Sequence, residues 1–147
     1  MRFEVLIPQP IDPAGVEYLT SRGCRVRMGC GAGEEDMIRE GRSCDAILAR
    51  TEKVTRKFME ACKKLKVIGR HGVGVNNLDL AAAKERNIVV TVTPHANTNA
   101  VAEHAMMLVC ALSKNVFFFD KAVRAGDFSL RDQFLTNELA GKELGIF

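Results

Sequence analysis

The sequence predicts an α/β fold, a parallel sheet with helices on both faces in the flavodoxin-like strand order. Two observations predict it. Five short β-rich runs alternate with helical segments along residues 3–125, and each connection is long enough for a right-handed crossover between parallel strands. A long helix and the first strand of an incomplete nucleotide-binding domain are expected to follow this sheet.

The first half of the chain supplies clear start and stop signals. Strands are predicted at 3–7, 24–28 and 46–50, and helices at 13–22, 34–41 and 55–64. Asp12 precedes Pro13, which is the usual N-cap and first-position pair, and Gly23 ends that helix. Acids at 34–36 suit the positive end of the second helix dipole.

The second half continues the alternation. Strands are predicted at 67–70 and 88–92, with a helix at 78–86 capped by Asn77. The longest helical pattern runs from Thr98 to about Lys114 and is predicted to continue through Ala125. Residues 127–137 are polar and aperiodic, which predicts a linker. Residues 141–147 read as a turn and a buried strand of the kind that leads into a glycine-rich nucleotide loop, so we expect a front part of a longer protein.

Composition excludes several classes of protein. The 147 residues are 47% hydrophobic and carry a net charge of +3, which is too small and dispersed for nucleic-acid binding. The N-terminus lacks a signal peptide pattern and the apolar runs are too short for a membrane span. The five cysteines have no metal-binding or disulfide spacing, so we expect reduced, mostly core thiols in a cytoplasmic protein with no metal site.

Ligands of open α/β sheets bind beyond the carboxyl ends of the strands. The first strand ends in Pro8-Gln9-Pro10, with neither an acidic pair nor a phosphate-binding loop. The third strand ends in Arg50-Thr51 rather than in Asp. These features argue against a response-regulator receiver and against a flavodoxin.

The fourth strand ends in a turn that contains Gly72, Val73 and Gly74. Closely spaced glycines before a helix allow backbone N–H groups to converge on an anion. Asn77 occupies the place of the third glycine of a dinucleotide loop, and no acid lies near Thr93 to bind a ribose. A cradle for a small carboxylate is the better interpretation, and a tight turn that binds nothing is the alternative.

Further candidates are polar residues at strand ends. Asn97 could present its amide to a substrate or could cap a helix. Arg50 could bind a carboxylate or phosphate, or could form a surface ion pair. His95 and His104 are typical of surface or capping histidines.

With these residues in place, the chain resembles the D-isomer-specific 2-hydroxyacid dehydrogenases, and most closely their phosphoglycerate dehydrogenase branch. The matching segments lie at 46–51 with 54–55, at 65–79 (LKVIGRHGVGVNNLD), at 97–104 and at 141–147 (GKELGIF). The resemblance implies that residues 1–97 form a flavodoxin-like substrate domain. Residues 98–147 would form a connecting helix and the start of a truncated NAD-binding domain.

The resemblance also implies site residues. It gives substrate binding to Arg50, Gly72, Val73, Gly74 and Asn97, and places Val73 against the cofactor, NAD or NADP. The ligand would be a small 2-hydroxy or 2-oxo acid of the phosphoglycerate or hydroxypyruvate type, and the full-length form a homodimer.

Departures from the family pattern define what the chain lacks. The family's glycine-rich loop, acidic ribose ligand and catalytic Arg, Glu and His cannot be identified, so no residue is assigned as catalytic and the isolated chain is expected to be inactive. His71 stands where small residues are common in the family, and Asn76 where Asp is common.

Two rival functions are a carboxylate-binding module without catalysis and a dimerisation partner of a full-length relative. For the partner, Phe117-Phe118-Phe119 would supply an exposed apolar patch. The alternative is that this triple packs against a further domain.

Overall fold

The computed structural model describes residues 3–29 and 31–146. The chain divides into two compact units, Met1–Ala96 and Asn97–Phe147. The first unit carries the sheet and the second is helical.

The first unit is built on one parallel sheet. Its strands are β1 (Glu4–Ile7), β2 (Arg25–Met28), β3 (Ala46–Ala49), β4 (Val67–Arg70) and β5 (Val89–Thr91). They are ordered β2-β1-β3-β4-β5, and each neighbouring pair is parallel. The predicted α/β class and flavodoxin-like order are therefore confirmed.

The helices of this unit are α1 (Pro13–Ser21), α2 (Glu34–Gly41), α3 (Arg56–Ala61) and α4 (Leu80–Glu85). The chain moves from β1 to β2 in one direction and then crosses back to β3, β4 and β5 in the other. Right-handed crossovers therefore place α1 on one face of the sheet and α2, α3 and α4 on the opposite face.

The main core lies beneath α2, α3 and α4. One row of the sheet, formed by Leu6, Ile47 and Ile68 in register, is fully buried. It belongs to one buried cluster with Met37 of α2 and Phe58 of α3. Each buried aliphatic or aromatic side chain contributes roughly 1.5–3 kcal/mol, so this face stabilises the unit.

The opposite face of the sheet is covered less evenly. Val5, Val67 and Val89 lie in register in the neighbouring row. Val5 is buried, Val67 is 36% exposed and Val89 is 58% exposed. Apolar surface therefore becomes more exposed toward β5, the edge strand.

Local signals explain the helix boundaries. Asp12 caps α1 by accepting a hydrogen bond from the Ala14 N–H at 2.9 Å, as predicted from Asp12-Pro13. Thr55 is the N-cap of α3 and accepts from Phe58 N–H at 3.2 Å. The predicted cap of α4 was wrong, because Asp79 rather than Asn77 accepts from the Ala82 N–H at 2.8 Å.

The second unit begins with α5 (Thr98–Ser113) and α6 (Val116–Arg124), followed by a short 3-10 turn at Ser129–Asp132. The sequence predicted one continuous helix through Ala125. The structure instead breaks it at Asn115, whose φ of 50° is left-handed. Asn is among the few residues that adopt this conformation at low cost.

The strand predicted at the end of the chain is not formed by its described residues. Residues 142–146 pair with no other strand in the described chain, and Phe147 lies outside it. A β-strand gains its backbone hydrogen bonds only from a neighbour, so an apolar segment such as 144–146 does not form a strand alone.

The described cysteines are free thiols in different environments. Cys44 and Cys62 are buried, Cys24 is half-buried and Cys110 is exposed, whereas Cys30 lies outside the described residues. Burial raises the pKa of both the Cys44 and the Cys62 thiol to about 11. Both therefore stay neutral at physiological pH and are poor nucleophiles.

Residues 3–29 and 31–146 contain neither a membrane-spanning helix nor a cluster of metal ligands. No helix there combines the length and the apolar character needed to cross a bilayer. No group of three or more His, Cys, Asp or Glu side chains there could hold a metal ion.

Candidate functional site

The carboxyl ends of β1 and β3 form the point where the strand order reverses, which is where open α/β sheets bind ligands. The loops after these strands are tied together. The Arg50 guanidinium donates a hydrogen bond to the Pro10 carbonyl, and the Thr51 hydroxyl donates to Gln9 Oε1 at 2.9 Å. Arg50 is half-buried. Its hydrogen-bond partner, the Pro10 carbonyl, is neutral, so this contact does not cancel the positive charge of the guanidinium.

Asn77 has a role that the sequence did not reveal. Its side-chain amide donates to the backbone carbonyls of Arg50 at 3.2 Å and Glu52 at 2.7 Å. It therefore fixes the segment after β3 from the loop after β4. A capping signal is local, whereas these two contacts span 27 and 25 positions of the sequence.

Glu52 is a buried acid that sequence reasoning also missed. Its side chain is 2% exposed, and neither carboxylate oxygen has a hydrogen-bond partner among the described residues. A buried carboxylate without a partner is costly. No sequence signal identifies it, because the residue lies in a charged stretch typical of a solvated loop.

The turn after β4 carries the predicted glycines. Gly72 has a φ of 140°, a conformation that side chains other than glycine's rarely adopt. Its N–H already donates to the Arg70 carbonyl at 2.9 Å. Within the described chain the N–H groups of Val73 and Gly74 have no acceptor, so they are the two donors that this turn can offer.

The loop after β5 fixes the direction of one of these donors. The Thr93 N–H donates to the Gly72 carbonyl at 3.0 Å. In a planar trans peptide the N–H points opposite to the carbonyl. The Val73 N–H therefore points away from Thr93, and Val73 itself is 52% exposed.

Two arginines and a histidine flank the turn. Ala49 and Arg70 are register partners at the ends of β3 and β4. The next residues, Arg50 and His71, follow side by side, and the His71 N–H donates to the Ala49 carbonyl at 2.8 Å. The edge that holds Gly72, Val73 and Gly74 thus carries positive charge suited to an anion.

Asn97 opens the second unit at the N-cap of α5, and its side chain makes no capping hydrogen bond. The amide therefore stays available to a ligand. An open groove of about 460 Å³ runs from Asn97 along the helix past Val101, His104 and Leu108. His104 is exposed in this groove, and His95 is exposed in the first unit.

The structure brings four of the predicted site residues to one edge of the first unit: Arg50, Gly72, Val73 and Gly74. Two of them, Val73 and Gly74, present unpaired N–H groups, and Arg50 supplies charge. Asn97 belongs to the second unit. The chemistry on offer is the binding of a small anion by backbone donors.

Comparison with known proteins extends this assignment. Residues 5–142 match the family described as D-isomer specific 2-hydroxyacid dehydrogenase, catalytic domain. The chain is 38% identical to D-3-phosphoglycerate dehydrogenase of Archaeoglobus fulgidus over 144 residues, which are 97% of this chain and 27% of that relative. The chain thus spans about a quarter of such relatives.

Solved structures agree with the sequence comparison. A 2-hydroxyacid dehydrogenase from Ketogulonicigenium vulgare superposes with a TM-score of 0.75 at 28% identity, covering 94% of this chain and 44% of that one. The NAD+-bound 3-phosphoglycerate dehydrogenase of Entamoeba histolytica gives 0.68 at 28% identity, covering 76% and 39%. With the family match over residues 5–142, the chain belongs to the D-isomer specific 2-hydroxyacid dehydrogenase family.

Proposed function

We propose that this chain is the substrate-binding part of an NAD- or NADP-dependent oxidoreductase that interconverts D-2-hydroxy acids and 2-oxo acids. The observation that carries the proposal is the pair of unpaired N–H groups at Val73 and Gly74. They lie at the carboxyl edge of the sheet, where the neighbouring strand β3 is followed by Arg50, whose guanidinium donates to the Pro10 carbonyl. This arrangement suits a small anion such as a carboxylate.

Carboxylate binding is the first requirement of the reaction. Hydride transfer at C2 needs the acid held in one orientation, and correct positioning can lower a barrier by several kcal/mol in a complete site. Backbone donors are well suited to this task because they are held by the sheet and lose little freedom on binding. Val73 and Gly74 would receive the carboxylate. Asn97, which belongs to the second unit, keeps its proposed role in substrate binding.

The substrate class we propose is an acid with a second anionic group, of the phosphoglycerate type, with hydroxypyruvate as the unphosphorylated alternative. Arg50 and His71 follow the ends of β3 and β4, and their side chains would add donors beyond the two N–H groups that a carboxylate needs. A planar guanidinium binds phosphate through two parallel hydrogen bonds. The relatives named D-3-phosphoglycerate dehydrogenase support this choice.

The described residues of this turn fit the nicotinamide ring of the cofactor but not its pyrophosphate. The exposed Val73 side chain offers apolar surface to a nicotinamide ring. The turn at Gly72 does not fit the pyrophosphate, because Asn77 stands in place of the third glycine of a dinucleotide loop. NAD or NADP, when bound, would exchange the hydride with C2 of the acid, and the pyrophosphate would be held by other residues.

We further propose the domain assignment that accompanies this role. Residues 1–97 would be the substrate-binding domain, and residues 98–147 the connecting helix and start of the nucleotide-binding domain. The 147 residues alone would then be inactive. The exposed Leu112 and Phe117 of the second unit suit a homodimer of the full-length form, and the free thiols suit the reducing cytoplasm.

The test is a titration of the 15N-labelled chain followed through its amide signals. D-glycerate and D-3-phosphoglycerate should shift the signals of Val73 and Gly74, with tighter binding of the phosphorylated acid, and glycerol should leave them unchanged. Arg50→Gln should weaken binding of D-3-phosphoglycerate more than binding of D-glycerate. If no acid moves either amide, the proposed site is wrong.

Activity is tested separately. With hydroxypyruvate or phosphohydroxypyruvate, the isolated chain should oxidise no NADH above background, because its Gly72 turn does not fit the pyrophosphate. A clear NADH-dependent rate from residues 1–147 would overturn the claim that other residues complete the site.

A further inference from the structure

The Arg70 side chain lies across the glycine turn that follows β4. Its Nε donates to the Gly74 carbonyl at 2.7 Å, and its Nη1 donates to the His71 carbonyl. Arg70 is the last residue of β4 and is half-buried. Its guanidinium thus bridges the two ends of the turn from within the same strand.

Gly72 and Arg70 are sterically matched. A Cβ placed on Gly72 would lie 3.0 Å from Arg70 Nη1 and 3.2 Å from Arg70 Cζ. Only a hydrogen at position 72 leaves room for the guanidinium in its observed place. The positive φ of Gly72 and the bridge by Arg70 are therefore two parts of one arrangement.

This arrangement fixes the peptides around the proposed carboxylate donors. Arg70 holds the carbonyls of His71 and Gly74, and Thr93 holds the carbonyl of Gly72. Because each peptide is planar, these bonds set the orientation of the peptide planes on both sides of the Val73–Gly74 peptide. The two free N–H groups are thereby prepared before any ligand binds.

We propose that Arg70 is a positioning residue that holds the Gly72–Gly74 turn in its carboxylate-binding conformation. This inference rests on the proposed function. Arg70 acts through the turn, because its Nε and Nη1 each donate to a backbone carbonyl of the turn. A lysine at this position keeps the charge but lacks the planar fork that reaches both carbonyls.

The first measurement needs no ligand. Amide exchange at two positions reports two hydrogen bonds of the turn. The Gly72 N–H donates to the Arg70 carbonyl, and the Thr93 N–H donates to the Gly72 carbonyl. Arg70→Met and Arg70→Lys should each speed exchange at both amides roughly tenfold or more, because local opening becomes easier. Arg25→Met, which removes an exposed arginine from β2, is the matched control and should change neither rate.

The second measurement compares two ligands. Arg70→Met should weaken D-glycerate and D-3-phosphoglycerate by the same factor, about tenfold, since both need the turn. Arg70→Lys should not restore binding. If the loss falls only on the phosphorylated acid and lysine restores it, Arg70 is a direct phosphate ligand and the proposal is overturned.

Failure of the proposed function would look different. If the unsubstituted chain binds neither acid, the carboxylate site is refuted, whatever the exchange rates show. If both acids bind but exchange at Gly72 and Thr93 is unchanged in Arg70→Met, the positioning role alone is refuted.

Discussion

Substituting Gly72 by alanine tests the geometry on which the proposed site depends. A side chain at a φ of 140° is strained by roughly 1–3 kcal/mol. The new Cβ would also lie 3.0 Å from Arg70 Nη1, so the guanidinium must move. A shift of a few tenths of an ångström weakens its two hydrogen bonds, which adds about 1 kcal/mol in all. We therefore expect Gly72→Ala to lower the free energy of unfolding by about 2–4 kcal/mol.

Gly74 provides the matched control. Its φ is not positive, and a Cβ there would meet no atom within 4 Å. Gly74→Ala should therefore change stability by less than about 0.5 kcal/mol. Urea unfolding followed by circular dichroism measures both variants. Equal effects at positions 72 and 74, or an effect of Gly72→Ala below about 0.5 kcal/mol, would refute the reasoning.

The pair Gly72 and Arg70 also allows a double-mutant cycle. Arg70→Met removes the guanidinium that the new Cβ would strike, so the two substitutions should cost less together than their sum. We expect a coupling of about 1 kcal/mol, within the range for residues in contact. Strict additivity would mean that the clash is relieved without moving Arg70.

Three further predictions concern buried groups. Glu52→Met should raise the free energy of unfolding by about 1–3 kcal/mol, because it removes an unpaired buried carboxylate; a loss above about 1 kcal/mol would show that Glu52 has a partner. Burial holds the pKa of Cys44 and Cys62 at about 11 against an ordinary 9.0, so the unfolded thiols ionise first as pH rises. Stability should thus be constant below the unfolded pKa and fall between pH 9 and 11 by up to about 2–3 kcal/mol per thiol. The control, Cys44→Ala with Cys62→Ala, should lack this fall, and an unchanged profile would refute the assignment. Phe58→Ala should cost about 3–5 kcal/mol in urea unfolding, since Phe58 is fully buried in the core; exposed Phe117→Ala is its control, and equal costs would contradict the burial.

Much of the first unit was predictable because its signals are local. Apolar runs of four or five residues, separated by capped helices, identify parallel strands without any tertiary information. Asp12 before Pro13 and Thr55 before Arg56 mark helix starts that the structure contains. Once the strand order is given, the handedness of the crossovers fixes the face of the sheet on which each helix lies.

The errors arise where a residue acts across the sequence. Asn77 looks like a cap, but its amide bonds to the segment after β3, while Asp79 caps the helix. Asn115 lies in an apolar helical pattern whose periodicity hides a left-handed residue. Periodicity records which side chains can be buried and does not record a single backbone rotation.

The site residues were predictable only as residue types. The Gly72-Val73-Gly74 spacing indicated an anion-binding turn, but which N–H groups are free depends on partners elsewhere. The Gly72 N–H donates to the Arg70 carbonyl, and the Gly72 carbonyl accepts from the Thr93 N–H, 21 positions along the chain. Nothing in the local sequence marks Arg70 as the bridge, because an arginine at a strand end is equally typical of a surface ion pair.

Hydrogen bonds join all five loops at the carboxyl edge of the sheet. Gly31 after β2 donates to the Pro8 carbonyl after β1 at 3.1 Å, and Arg50 after β3 donates to the loop after β1. Asn77, beyond β4, bonds to the segment after β3, and Thr93 after β5 bonds to the turn after β4. Each loop is therefore restrained by a neighbour as well as by its own strand. Because little ordering would remain to be done when a ligand arrives, the proposed site would lose less binding free energy to loop entropy.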